Sequence, residues 1–170
     1  TLSKTLATWQ AKEGGAIVIN PKTGEMYAIA AAPAFDPNTY NKEEDVGVFT
    51  NPLVEKVYEM GSTVKPLTMA AGIDSGAVTP ETTYNDQGFG VLNERRFSNY
   101  DGKGRGVVSM QEVLNQSLNT GVAHVANKMG YQEFADYFEK FGLREETGID
   151  LPNEVRGLTS NLDNGQPISY

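Results

Sequence analysis

Met60-Gly61-Ser62-Thr63-Val64-Lys65-Pro66 puts a serine and a lysine three residues apart where a helix should begin. Proline has no N–H and is harmless only within the first turn of a helix. Pro66 therefore sets the helix start near Ser62, and Leu67, Met69, Ala70, Ala71 and Ile73 carry it on toward Gly76. Residues i and i+3 share a helix face, so the Lys65 amine can reach the Ser62 hydroxyl. Ser62 also lies at the positive end of the helix dipole, where developing negative charge is stabilised. A serine needs an adjacent base to act as a nucleophile. Lys65 can be that base if burial and neighbouring positive groups keep it neutral part of the time. Each residue also has an ordinary reading here: serine as an N-cap, lysine as a solvated side chain. On its own, Ser-x-x-Lys is a weak motif.

A second polar element strengthens it. Ser109-Met110-Gln111-Glu112 reads as a capping box that opens a helix over Val113 and Leu114. Downstream, Val122, Val125, Ala126 and Met129 recur at helical spacing until Gly130. Ser117 and Asn119 lie between the two stretches. Residues i and i+2 do not face each other on a continuous helix. For both to act on one substrate, Asn115-Gln-Ser-Leu-Asn-Thr-Gly121 must be a bend between two short helices, and its polar residues suit one. An ordinary polar connection between helices is the alternative.

Ser62-x-x-Lys65 followed by Ser117-x-Asn119 matches the first two members of the S-x-x-K, S-x-N, K-T-G trio. On these motifs the chain resembles the transpeptidase domain of penicillin-binding proteins, over nearly all of its length. Gly14-Gly-Ala-Ile-Val-Ile-Asn-Pro-Lys-Thr-Gly-Glu25 is similar to that family's first hairpin, and Ala32-Pro-Ala-Phe-Asp-Pro-Asn38 to the loop after it. Val57 to Pro66 is most similar to the class B, monofunctional branch, and Phe141-Gly-Leu143 with Thr147-Gly-Ile-Asp-Leu-Pro152 also fits it.

Lys22-Thr23-Gly24 matches the third motif as a string but sits between two strand-length apolar runs, Ala16–Ile19 and Met26–Ala30. Asn20, Pro21 and Gly24 are turn residues, so the segment reads as a hairpin connection. In the family, the working Lys-Thr-Gly lies on an edge strand after the Ser-x-Asn bend. No other Lys-Thr-Gly or Lys-Ser-Gly follows Asn119. The expectation is that residues 1–170 form the front half of a single transpeptidase domain. Its fold would be α+β, a central antiparallel sheet flanked by helices, incomplete at the C-terminus. The remainder would carry the third motif, further strands and one of the two oxyanion-hole N–H groups.

Composition bounds the alternatives. At 170 residues one core is feasible, burying roughly 70% of the unfolded surface. The net charge of −8 argues against non-specific nucleic-acid binding. The chain has no cysteine, which excludes disulfides and thiol catalysis, and its sequence contains no apolar run of membrane-spanning length.

Other segments carry plainer signals. Residues 2–12 read as a short amphipathic helix, and residues 33–51 as a loop rich in Asp, Asn and Pro. Glycines at 88, 90, 102, 104 and 106 imply turns and short strands over residues 77–108. A helix is expected over Tyr131 to Lys140, with Gly142 ending it, followed by a loop-rich tail. His124, the only histidine, reads as a packing residue, and Trp9 as a core or docking anchor. Arg95-Arg96 could contact a carboxylate but reads first as a solvated turn, and Glu43-Glu44-Asp45 reads as a solvated loop without metal spacing.

The resemblance implies a peptidoglycan D,D-transpeptidase acylated by β-lactams. Ser62 would be the nucleophile, Lys65 its base and Ser117 the proton relay. Asn119 and Thr63 would contact substrate. No metal or organic cofactor is required. The partners would be peptidoglycan stem peptides, β-lactams and other cell-wall synthesis proteins. The location would be the extracytoplasmic face of a bacterial membrane, with an anchoring helix upstream of Thr1. Three alternatives stay open: a serine β-lactamase or D,D-carboxypeptidase, a β-lactam sensor, and an interaction module without catalysis.

Overall fold

Two apolar runs flanking the hexapeptide Asn20–Glu25 fold back on each other as β1 (Gly14–Ile19) and β2 (Met26–Ala32). They pair antiparallel from Gly14↔Ala32 to Val18↔Ala28, with an irregularity before Ile19↔Met26. The turn is closed locally. Lys22 N–H donates to Asn20 Oδ1 (3.0 Å) and Gly24 N–H to Asn20 O (2.9 Å). Lys22-Thr23-Gly24 is thus a hairpin connection, as its turn chemistry predicts.

This computed structural model describes residues 1–92 and 94–162; the last stretch of the loop-rich tail lies outside the described residues. The chain divides into residues 1–57 with 148–155, and residues 58–147 with the segment from 156 on. In the first unit α1 (Leu2–Trp9) precedes the hairpin and ends at Gln10, whose φ is 52°. It is shorter than the amphipathic stretch suggests, and Trp9 is 79% exposed. Trp9 is therefore not a core residue. The loop over 33–51 contains two short 3₁₀ turns, one capped by Asp45, whose Oδ1 accepts from Gly47 N–H. The short helix α2 (Pro52–Glu55) has proline at its first position and Asn51 as its cap. Val155 N–H donates to Val54 O, tying the 148–155 segment to it.

The second unit holds the main core. Its elements are α3 (Lys65–Asp74), β3 (Thr83–Asp86), β4 (Phe89–Leu92), β5 (Arg95–Ser98), β6 (Gly106–Ser109), α4 (Met110–Asn115), α5 (Asn119–Met129) and α6 (Tyr131–Lys140). Met69, Val78, Met110, Val113, Leu118, Val125 and Phe134 bury their side chains together. Close approach depends on two helical glycines. A Cβ on Gly72 would lie 2.3 Å from Val125 Cγ1, and one on Gly121 would lie 2.4 Å from Val113 Cγ2. α6 ends in a Schellman arrangement, with Gly142 at φ 71° donating to Glu139 O and Leu143 donating to Phe138 O.

The chain is α+β with antiparallel strands. Among the described residues these strands form three two-stranded ladders, β1–β2, β3–β6 and β4–β5. The β4–β5 ladder lies within the stretch of chain between β3 and β6, whose own pairing joins Thr83 to Ser109 and Asp86 to Gly106. Arg95 and Arg96 lie on β5 rather than in a turn, and Arg96 stacks 4.2 Å above the Phe89 ring. No helix among the described residues is long and apolar enough to cross a membrane.

Candidate active site

A turn of 3₁₀ helix, Gly61–Val64, leads into α3. The α-helix proper starts at Lys65, three residues later than Ser62, and Pro66 occupies its first turn. Tightening of a first turn to 3₁₀ geometry is common. It leaves Ser62 exposed on the turn and turns Lys65 inward, where only 8% of its surface remains accessible.

Lys65 meets the bend expected around Ser117. α4 begins at Ser109, whose Oγ accepts from Glu112 N–H (3.3 Å). The Glu112 carboxylate does not return the bond; it accepts from Asn115 and Gln116 side chains instead, so the capping box is half made. The chain then turns at Ser117, a non-glycine residue at φ 54°. Fully buried Leu118 anchors the turn, and α5 starts at Asn119. This bend brings Ser117 and Asn119 onto one group. Lys65 Nζ donates to Ser117 O (2.7 Å), Ser117 Oγ (3.0 Å) and Asn119 Oδ1 (2.6 Å). Asn119 is fixed from its other end, where Nδ2 donates to Ser98 O (2.8 Å).

Three acceptors match the three protons of an ammonium. Burial pulls the other way, holding the Lys65 pKa below its ordinary 10.5. A neutral amine keeps two donors and gains a lone pair, toward which the Ser117 hydroxyl can turn its proton. The cluster therefore supports both protonation states, as a residue that accepts and returns protons requires.

Ser62, Lys65 and Asn119 line one cavity of about 470 Å³, with Phe97, Phe134 and Phe138 on its apolar walls. Among the described residues no hydrogen bond joins Ser62 Oγ to Lys65 Nζ; the amine is taken up by Ser117 and Asn119. Ser117 reaches the cavity only through Lys65. Thr63 does not line it: its hydroxyl donates back to Met60 O (2.6 Å) and braces the 3₁₀ turn. Among the described residues no cluster of three or more His, Asp or Glu side chains could hold a metal ion.

His124 packs as its position suggests, stacked on Tyr84 with ring centroids 5.2 Å apart. Its Nε2 is buried without a partner, and burial together with Lys128 holds its pKa below 6.5. Behind the bend lies a buried polar group that residue patterns do not foretell: Asp86, Asn99 and Thr120 (2%, 1% and 8% exposed). Their only signal was polar residues scattered between glycines, a pattern any loop shares.

A serine and a buried lysine three residues apart, the lysine bonded to a Ser-x-Asn bend in an α+β unit, match the first two motifs of the S-x-x-K serine acyl-enzyme pattern. The family model for the penicillin-binding protein transpeptidase domain matches residues 14–170, and the chain belongs to that family. It is 32% identical over 163 residues to peptidoglycan D,D-transpeptidase MrdA of Acinetobacter baumannii, covering 88% of this chain and 24% of that protein. A crystal structure of a peptidoglycan glycosyltransferase from Burkholderia ambifaria superposes with a TM-score of 0.80 at 26% identity, covering 96% of this chain and 47% of that one. Pseudomonas aeruginosa PBP2 superposes with a TM-score of 0.75 at 28% identity, covering 92% and 39%. The chain thus spans about a quarter of the length of the curated relatives it matches.

Proposed function

We propose that this protein is a peptidoglycan D,D-transpeptidase with Ser62 as nucleophile. The observation that carries the reading is the triple hydrogen bonding of buried Lys65 by Ser117 and Asn119, on the cavity that Ser62 also lines. Neutral Lys65 accepts the Ser62 proton as Oγ attacks the carbonyl of a terminal D-Ala-D-Ala. The Ser62 N–H, at the head of the helical run, helps hold the oxyanion. Ser117 passes the proton to the departing D-Ala amine as the C–N bond breaks, and Asn119 holds the peptide amide. An amine of a neighbouring stem peptide then attacks the acyl-enzyme and forms the cross-link. β-Lactams enter the same path and stop at the acyl-enzyme.

Residues 1–170 are read as the front half of one such domain, in keeping with their coverage of 47% and 39% of the two solved chains. The substrate lies outside the bacterial cytoplasmic membrane, so the domain works on its extracytoplasmic face, beside other cell-wall synthesis proteins. D-Ala release from a stem pentapeptide, with and without an acceptor amine, tests the reaction. Cross-linked product that disappears in Ser62→Ala supports transpeptidation. Rapid hydrolysis of a penicillin with turnover would instead identify a β-lactamase, and hydrolysis of the peptide alone a carboxypeptidase.

A further inference from the structure

The first turn of α5 is capped from outside its own helix. Leu118, its N-cap, has no side chain able to accept a hydrogen bond, yet the first N–H groups of a helix need partners. Asn99 provides one: its Oδ1 accepts from Thr120 N–H (3.2 Å). The orientation of the Asn99 amide is fixed by Asp86. Asn99 Nδ2 donates to both Asp86 carboxylate oxygens (3.1 and 3.0 Å) and to Lys103 O (3.2 Å), so Oδ1 must face the helix.

The Asp86 carboxylate is held on every side. It also accepts from Gly88 N–H (2.8 Å), Arg105 N–H (3.1 Å) and Thr120 Oγ1 (2.8 Å). The Thr120 hydroxyl has one proton and gives it to this shortest partner, so the Tyr84 hydroxyl at 3.1 Å is left to donate to Thr120. Thr120 follows Asn119 directly, and Ser98, which precedes Asn99, carries the carbonyl that receives Asn119 Nδ2. Residues 98 and 99 therefore hold the Asn119 amide at its Nδ2 end and the backbone next to it, leaving Oδ1 for Lys65. On the other side of the bend, Arg105 Nε donates to Gln116 Oε1 (2.9 Å).

We propose that Asp86 and Asn99, acting through Thr120, are positioning residues that hold the Ser117–Asn119 bend against Lys65 and so set the protonation of that amine. None of the three touches the cavity; each acts through the bend. A buried carboxylate is costly unless fully hydrogen-bonded, and this one is fully bonded to backbone and side-chain donors that lead to the bend. The proposal rests on the reading of Ser62 and Lys65 as an acyl-transfer pair.

Thr120→Val keeps the shape of the side chain and removes the hydroxyl; Thr120→Ser keeps the hydroxyl. In the full protein, the rate of Ser62 acylation by a fluorescent penicillin is followed against pH for both. In parallel, the reactivity of Lys65 toward an amine-acetylating reagent is followed against pH, a readout that needs no acylation. Loosening the bend removes acceptors that hold the Lys65 ammonium and admits water that burial excludes, so the Lys65 titration is displaced from that of the parent. The expected result for Thr120→Val is a roughly ten- to hundredfold slower acylation at pH 7 and a displaced pH midpoint in both assays. Thr120→Ser should stay within about threefold of the parent with the midpoint unmoved. A Lys65 midpoint unmoved in folded Thr120→Val overturns the proposal, whatever its acylation rate. If the parent protein is not acylated at any pH, the functional reading fails, and the Lys65 reactivity profile alone decides whether Asp86, Asn99 and Thr120 position the bend.

Discussion

Gly121→Ala is the substitution for which helix propensity and packing give opposite answers. Gly121 is the third residue of α5, and alanine there gains about 1 kcal/mol of helix propensity over glycine. Packing opposes this. The new Cβ would lie 2.4 and 2.6 Å from the two γ-carbons of Val113 and 3.0 Å from the Tyr84 hydroxyl. Val113 is fully buried, and a valine in a helix has essentially one rotamer, so it has nowhere to swing. Overpacking of this kind costs about 1–3 kcal/mol. The balance is a destabilisation of about 1 kcal/mol, or about 2–4 °C in melting temperature for a chain of this size. Removing the obstacle reverses the sign. In a Val113→Ala background, Gly121→Ala should stabilise by about 1 kcal/mol, a coupling of about 2 kcal/mol between the sites. Chemical denaturation of the parent, both single variants and the double variant measures this directly. A Gly121→Ala protein more stable than the parent, or effects that simply add, would refute the packing argument.

Three other perturbations follow from the same geometry. Burial lowers the Lys65 pKa, so the neutral amine becomes populated below pH 10.5; the rate of acylation by a penicillin should rise with pH to an inflection beneath that value, and an inflection at or above it would refute the burial argument. His124 is held neutral with its pKa below 6.5. The unfolded chain binds a proton there that the folded chain resists, so this stability is fully present above pH 6.5 and is lost as pH falls through the lowered folded pKa. His124→Phe, which keeps a ring against Tyr84, should flatten that acid-side loss in urea unfolding, and parallel pH curves would contradict the assignment. Lys22 lies in a hairpin turn, so Lys22→Ala should leave penicillin acylation unchanged; loss of labelling in a folded variant would return the Lys22-Thr23-Gly24 string to consideration as the third motif.

Much of the second unit could be read from residue types because its signals are local. Ser109, Gly130 and Gly142 mark helix ends through their own backbone or side-chain chemistry, and α6 runs over the expected Tyr131–Lys140. The bend at Ser117 was legible because i, i+2 residues can share a target only where a helix breaks. What stayed hidden depends on contacts between distant segments. Lys65 bonds to residues 52 and 54 positions away, and so spends its protons on Ser117 and Asn119 rather than on its helical neighbour Ser62. The partnership of Asp86 with Asn99 and Thr120 spans 13 and 34 residues and leaves no periodic trace. Trp9 illustrates the converse: a residue type that favours burial is exposed at the end of α1, and residue type alone does not say which surface it meets.

The central claim is that Ser62 is the acylated nucleophile, and peptide mapping after incubation with a penicillin tests it most directly. Intact mass should increase by one penicillin per protein, with the adduct on the peptide containing Ser62 and absent from Ser62→Ala. A stoichiometric adduct on any other residue, or one that persists undiminished in Ser62→Ala, would contradict it.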